Sequence, residues 1–145
     1  MLPRWHILFG AIFTFLIWLY APETSYLYLG LVFFASFIID LDHYICGMMR
    51  TGTLHLGEIF KYHSEMGQIQ HKEREKGIRR KGDFHLFHTI EFHVLVAFLG
   101  IFFTPLFYFF IGMTFHSLLD VIWLMRHDFL YRREYFFFNW LKERF

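Results

Sequence analysis

At 145 residues the chain is long enough for one domain and too short for two. Hydrophobic residues make up 56% and aromatics 23%, with 22 phenylalanines; a soluble fold of this length cannot hide so much aromatic surface, so part of it is expected to face lipid. A formal net charge of +1 gives no electrostatic footprint for nucleic acid, and the single Cys46 excludes an internal disulfide.

The opening stretch, MLPRWHILFGAIFTFLIWLYAPETS, has the Arg4-then-apolar outline of a signal peptide. It has no small-x-small cleavage pattern, and Trp18 and Tyr20 stand where an interfacial aromatic belt belongs. It is therefore expected to be a retained first membrane helix. Four apolar segments follow one another at about 6–21, 26–41, 86–104 and 106–125, each near the lower length limit for crossing a bilayer. Pro22, Glu23, Thr24 and Ser25 form the first turn, and Thr104-Pro105 the last. Between the second and third segments lies a polar region, 42–85, whose core HKEREKGIRRKGD suits an exposed helix or a loop. The tail, 128–145, mixes Phe, Trp and Leu with Arg and Lys, the pattern of an interfacial amphipathic helix; packing of the tail on the polar region is the alternative.

The expected fold is thus all-α: an integral membrane four-helix bundle with a cytoplasmic loop region and a C-terminal interfacial helix. Orientation follows from positive charge. Arg4 precedes the first segment, eight Lys/Arg lie in 42–85 and five follow the fourth segment, while the short turns contain none. With both termini and the long loop in the cytoplasm, all 14 positive residues fall on one side of the cytoplasmic membrane.

On that topology the ionisable residues of the segments collect at one end. His6 opens the first, Asp40, Asp42 and His43 close the second, and His85, His88, Glu91 and His93 open the third. His116 and Asp120 lie in the inner half of the fourth, one turn apart on one face. An ionisable group inside a span costs about 2.5–3.5 kcal/mol on insertion scales, so such a collection calls for pairing or for a ligand. Asp and His without Cys are a ligand set for zinc, manganese or iron. Taken singly, each position has a plain alternative: His6 as an interfacial residue, DLDH as a solvated helix exit, His116 and Asp120 as a hydrogen-bonded pair between helices. Taken together, at one end, they point to a metal site. His55, His63, His71 and His127 are expected to face solvent.

The same residues resemble a known group, the membrane-bound metal-dependent hydrolases, also described as LexA-binding, inner-membrane-associated hydrolases. That family shows His-x-x-x-Gly, Asp-x-Asp-His, His-Arg-x-x-Thr-His and His-x-x-x-Asp in this order. The chain has HILFG at 6–10, DLDH at 40–43, HTIEFH at 88–93 and HSLLD at 116–120. Ile39 stands where the family usually has proline, Thr89 and Phe92 replace the Arg and Thr of the third motif, and Glu91 is an addition. The resemblance implies a hydrolase with one or two divalent ions, zinc first, with manganese or iron as alternatives.

Together these observations predict metal-assisted hydrolysis of a phosphoester or ester bond in a lipid-like substrate at the cytoplasmic interface. The expected ligands are His6, Asp40, Asp42, His88, His93, His116 and Asp120, with Glu91 or His43 moving the proton. Membrane lipid is the environment and the expected substrate. Arg79, Arg80 and Lys81 are candidates to hold anionic headgroups, against the simpler reading of a solvated basic loop. The rival enzyme class is a di-iron membrane oxygenase or desaturase, whose boxes HTIEFH fits, although its further boxes carry adjacent His-His pairs and this chain has none. A metal carrier would place its ligands near the midplane. A non-catalytic protein with a structural polar cluster is the third alternative.

Overall fold

The computed structural model describes residues 3–145 and is helical, with no strand among the described residues. Among the described residues seven α-helices run in order: α1 Pro3–Tyr20, α2 Tyr26–Ile38, α3 Leu41–Thr51, α4 Leu56–Glu75, α5 Ile90–Phe102, α6 Thr104–Arg126 and α7 Phe137–Arg144. Single turns of 3₁₀ helix occupy Leu86–His88 and Leu130–Arg132.

Three stretches are long and apolar enough to cross a membrane by length and composition: Pro3–Tyr20, Tyr26–Thr51 (α2 continued by α3) and Thr104–Arg126. The fourth apolar helix, α5, is shorter at 13 residues. At 1.5 Å per residue α5 is only about 20 Å long, while α6 reaches about 35 Å.

Local sequence explains the boundaries. Ser25 accepts from the Tyr28 amide and starts α2. Thr89 accepts from the Phe92 amide and starts α5, so the 3₁₀ turn carrying His88 sits just outside the helix. Pro105 occupies the first turn of α6, where a missing N–H costs nothing. Gly52, at φ 70°, closes α3 in the left-handed conformation that glycine adopts without steric penalty.

α2 packs most extensively on α6, α6 also carries α5, and α1 lies on α2 with a smaller contact to α6. Aromatic stacks tie these faces: Phe13 on Phe115 at 4.1 Å and Tyr28 on Tyr108 at 4.5 Å. The interior is unusual for its polarity. Buried Val32, Ala35, Ile39, Val96 and Met113 share it with buried His6, Ser36, Asp42, His88, Thr89, His116 and Asp120. Large apolar side chains meanwhile point outward along α1 and α5, among them Phe15, Leu19, Val94, Phe98 and Phe102. In water such an arrangement wastes its apolar surface; in lipid it is what the solvent selects.

The 42–85 region is largely helical. α3 and α4 pack on each other across the short link 52–55, and the stretch 76–85 is irregular. The tail packs against that stretch. The Gly82 amide donates to the Arg132 carbonyl, the Ile90 amide to the Tyr135 carbonyl, and Phe84 stacks on Trp140.

Candidate metal centre

Four elements deliver the site. α2 ends at Ile38 and α3 starts at Leu41, so Asp40 sits in the break between them. As the residue before α3, Asp40 has the position and the side chain of a helix cap, yet it makes no capping hydrogen bond. Its carboxylate turns instead toward His116 and His88. His88 comes from the 3₁₀ turn before α5, and His116 and Asp120 from successive turns of α6.

The donor atoms converge. His88 Nε2 lies 3.3 Å from His116 Nε2. His116 Nε2 is 3.4 Å from Asp40 Oδ1 and 3.6 Å from Asp120 Oδ2. His88 Nε2 is 3.7 Å from each of the same two oxygens. A tetrahedral ion bound at about 2.0–2.1 Å to every donor demands donor–donor edges of about 3.3–3.4 Å. Five edges of the group therefore stand at or slightly above the required length.

Tautomers sharpen the point. His116 Nδ1 lies 2.8 Å from the Ser36 carbonyl, which only accepts, so this nitrogen carries the proton. His88 Nδ1 likewise donates to Asp42 Oδ2 at 3.0 Å. In the neutral rings both Nε2 atoms are consequently bare lone pairs, facing each other and two carboxylates. The four acceptors have no donor among them; Arg133 offsets part of the charge on Asp120, and a cation between the four would relieve the repulsion that is left. A metal-free alternative would protonate one ring, but Nε2–O separations of 3.4–3.7 Å exceed the roughly 2.7–2.9 Å of a charge-assisted hydrogen bond. Asp40 Oδ2, moreover, is buried without a hydrogen-bond partner. The residues present fit a divalent ion.

Around these four stands an outer layer. Asp42 accepts from His88 Nδ1 and from the Phe87 amide at 2.9 Å, orienting the imidazole in the manner of a carboxylate–histidine–metal relay. His6 Nε2 lies 3.1 Å from Asp120 Oδ1 and its ring stacks on His116 at 3.7 Å. Gly10, one turn on from His6, allows this approach: a Cβ there would collide with the Ser36 hydroxyl. Asp42 and His6 thus hold ligands in place within this group; their expected role as direct ligands is not what its geometry favours. Asp42, His43 and the other nitrogen of His88 form a second, overlapping group that could hold an ion. Because His88 Nδ1 is the donor to Asp42 in the first arrangement, the two groups compete for that ring.

His43 has its Nε2 3.6 Å from Asp40 Oδ1 and a third of its side chain exposed, so it connects the cluster to solvent. His63 is half-buried, in contrast to the expected solvent-facing position, because its Nε2 reaches the His43 carbonyl at 2.9 Å. The structure does not bring His93 to the centre. Its Nδ1 donates to the Thr89 carbonyl and its Nε2 accepts from Ser117, both at 2.9 Å, linking α5 to α6. Glu91 is also elsewhere: its carboxylate accepts from the Phe137 and Phe138 amides and caps α7. Glu91→Gln is expected to leave metal content unchanged and to make the chain around 136–138 more sensitive to limited proteolysis; loss of metal instead would return Glu91 to the site.

Two participants were not among the ligands or proton carriers expected from sequence. Arg133, from the tail, donates to Asp120 Oδ2 at 2.8 Å. His85 places Nδ1 3.8 Å from Asp42 Oδ1, with its ring 3.7 Å from that of His43. Burial pushes the His85 pKa down to about 4, against the opposing pull of Asp42, so this ring is neutral near pH 7. The i, i+3 relation of His85 to His88 was visible; nothing in the tail's pattern distinguished Arg133 from its basic neighbours.

Fold and site define an all-helical chain, apolar enough to enter a membrane, with a buried His/Asp group that could hold a metal ion. Set against protein-family models, curated proteins and solved structures, the chain matches none. Its function has to be read from the residues themselves.

Proposed function

We propose that this protein is a membrane-embedded metal-dependent hydrolase that cleaves a phosphoester or ester bond of a lipid-like substrate at the cytoplasmic interface. The observation that carries the metal is the convergence of His88, His116, Asp40 and Asp120 on one point with both imidazole lone pairs turned inward. In this reading α1, α2 with α3, α5 and α6 form a bundle in the cytoplasmic membrane, with both termini and the α4 region inside. The concentration of Lys and Arg in 42–85 and the tail supports that orientation. The motif order shared with the membrane-bound metal-dependent hydrolases supports the reaction class.

A divalent ion, zinc first with manganese or iron as alternatives, would be held by His88, His116, Asp40 and Asp120 and would supply Lewis-acid polarisation and an acidified water. The chain's own residues do the rest. Asp42 and His6 fix the ring of His88 and the carboxylate of Asp120. Asp40 and His43 line the open side, where a substrate must enter. His43, one third exposed and beside Asp40, is placed to take a proton from the nucleophile and pass it to water. Arg133 brings a guanidinium to the same end, where a developing negative charge is stabilised.

Elemental mass spectrometry of the protein purified in mild detergent tests the reading. About one equivalent of zinc or manganese, removed by a chelator and restored on re-addition, is the expected result; a second equivalent would add the Asp42–His43 group. Affinity should fall on acidification, because both imidazoles must be unprotonated to bind. Stoichiometric iron would favour an oxygenase. A chain that carries no metal and melts at the same temperature with and without chelator would overturn the proposal.

A further inference from the structure

A polar cavity of about 360 Å³ is lined by Arg50, Tyr62, Arg80, Lys81, Asp83 and Arg132. Its cations are incompletely matched. Arg50 pairs with Asp83 at 2.6 Å and Lys81 with Glu134 at 2.9 Å. Glu73 alone serves two guanidinium groups: Arg80 at 2.6 Å through one oxygen, and both terminal nitrogens of Arg132 at 3.0 Å through the other. Four cations thus meet three carboxylates. Arg132 is 5% exposed, and its Nε is buried without a partner. A buried guanidinium with an unused donor and half a counter-charge is costly unless something completes it.

We infer that this cavity is an anion subsite that receives a phosphate group, either a lipid headgroup or free phosphate. Arginine forks match phosphate oxygens in number and geometry, and the three at the cavity have differing exposure, so the pocket has a buried end at Arg132 and an open end at Arg50 and Arg80. Tyr62 adds a hydroxyl. It donates to Asp83 Oδ2 at 2.7 Å, and burial together with that carboxylate pushes its pKa up to about 12, so it adds no negative charge.

The cavity is tied to the metal centre by two short stretches of chain. Asp83 lines the cavity while His85 and His88 face Asp42. Arg132 lines the cavity while Arg133 holds Asp120. The Gly82 amide, donating to the Arg132 carbonyl at 2.7 Å, clamps the two stretches together. This inference rests on the hydrolase reading and narrows its substrate from esters in general to molecules that carry a phosphate.

Calorimetric titration of the full chain in neutral detergent tests it, with the metal first removed by chelation. Two probes are used: inorganic phosphate and dihexanoyl phosphatidylglycerol, with dihexanoylglycerol, which carries no phosphate, as the control. Saturable binding of either anionic probe, weakened by roughly ten-fold or more in Arg50→Gln and in Arg80→Gln, is expected from the loss of one charged hydrogen-bonding partner. Phosphate binding identifies the free ion as sufficient; binding of the phosphatidylglycerol probe alone identifies a headgroup. Arg79→Gln, outside the cavity, should bind as the parent does. An equal loss in Arg79→Gln would mean diffuse surface charge and would overturn the subsite, as would saturable binding of neither probe. Both variants are exposed at the altered side chain, and unchanged melting temperatures keep a folding defect from passing as a binding defect. Metal content measured on the same preparations before chelation separates the two readings. Normal metal with no anion binding removes the subsite alone, and anion binding without metal uptake removes the metal centre alone.

Discussion

His116→Ala is expected to abolish stoichiometric metal binding, raising the dissociation constant by more than about 100-fold, whereas Asp42→Asn should cost about 10–100-fold, the range for an outer-layer partner. The order of these two effects is the informative quantity. His116 Nε2 contributes to three of the five close donor–donor edges, so its removal leaves His88 and two carboxylates with no fourth corner. Asp42 acts through hydrogen bonds accepted from His88 Nδ1 and from the Phe87 amide, so its asparagine variant misorients a ligand without deleting one. His93→Ala, whose ring links α5 to Ser117, should keep full metal content. Equilibrium competition with a metal-sensitive dye, on proteins whose metal-free melting temperatures agree, checks all three. If Asp42→Asn loses metal while His116→Ala keeps it, Asp42 is itself a ligand and the overlapping group with His43 is the one that holds the ion.

How much of this was legible beforehand differs by residue. Helical structure with apolar segments was readable because lipid-facing helices need continuous hydrophobic runs, which no other pattern in this chain imitates. The clustering of Asp40, His88, His116 and Asp120 was readable because ionisable groups inside such runs are expensive and stand out. What sequence could not supply was the direction of each side chain. His93 lies five residues beyond His88, but His88 belongs to a 3₁₀ turn outside α5 and His93 lies inside it, so ideal-helix angles between the two do not apply. Glu91 looked like an addition to a metal motif, yet it sits in the first turn of α5 and is spent on two amides of α7, a contact that spans 46 residues and leaves no local trace. Arg133 reaches Asp120 only because the Gly82 and Ile90 amides bind the tail back onto the chain before α5. Spacing carries information within one helix; the site is assembled across breaks between helices.

Gly112→Ala is expected to be the most damaging small substitution in the bundle. A Cβ at this position would run into the Val32 carbonyl oxygen and would come within 2.8 Å of the Ala35 Cβ. Both are on α2, and one of them is backbone, so no change of rotamer relieves the clash; α2 and α6 have to separate. Overpacking of this kind costs about 1–3 kcal/mol. The consequence should reach the site, because His116 stands one turn further along α6 and donates to the Ser36 carbonyl, the residue after Ala35. Separation of the helices lengthens that bond, frees the His116 ring to turn, and releases the constraint that keeps its Nε2 bare. Stability and metal affinity are therefore expected to fall together in Gly112→Ala. Gly30→Ala, also on α2 but with nothing within 4 Å of the added carbon, should change neither and provides the control for glycine replacement as such. Thermal unfolding followed by tryptophan fluorescence, with and without metal, reads both effects. A Gly112→Ala protein that melts and binds metal like the parent would mean that α2 and α6 do not approach as closely as described, and that the geometry inferred for His116 does not depend on their contact.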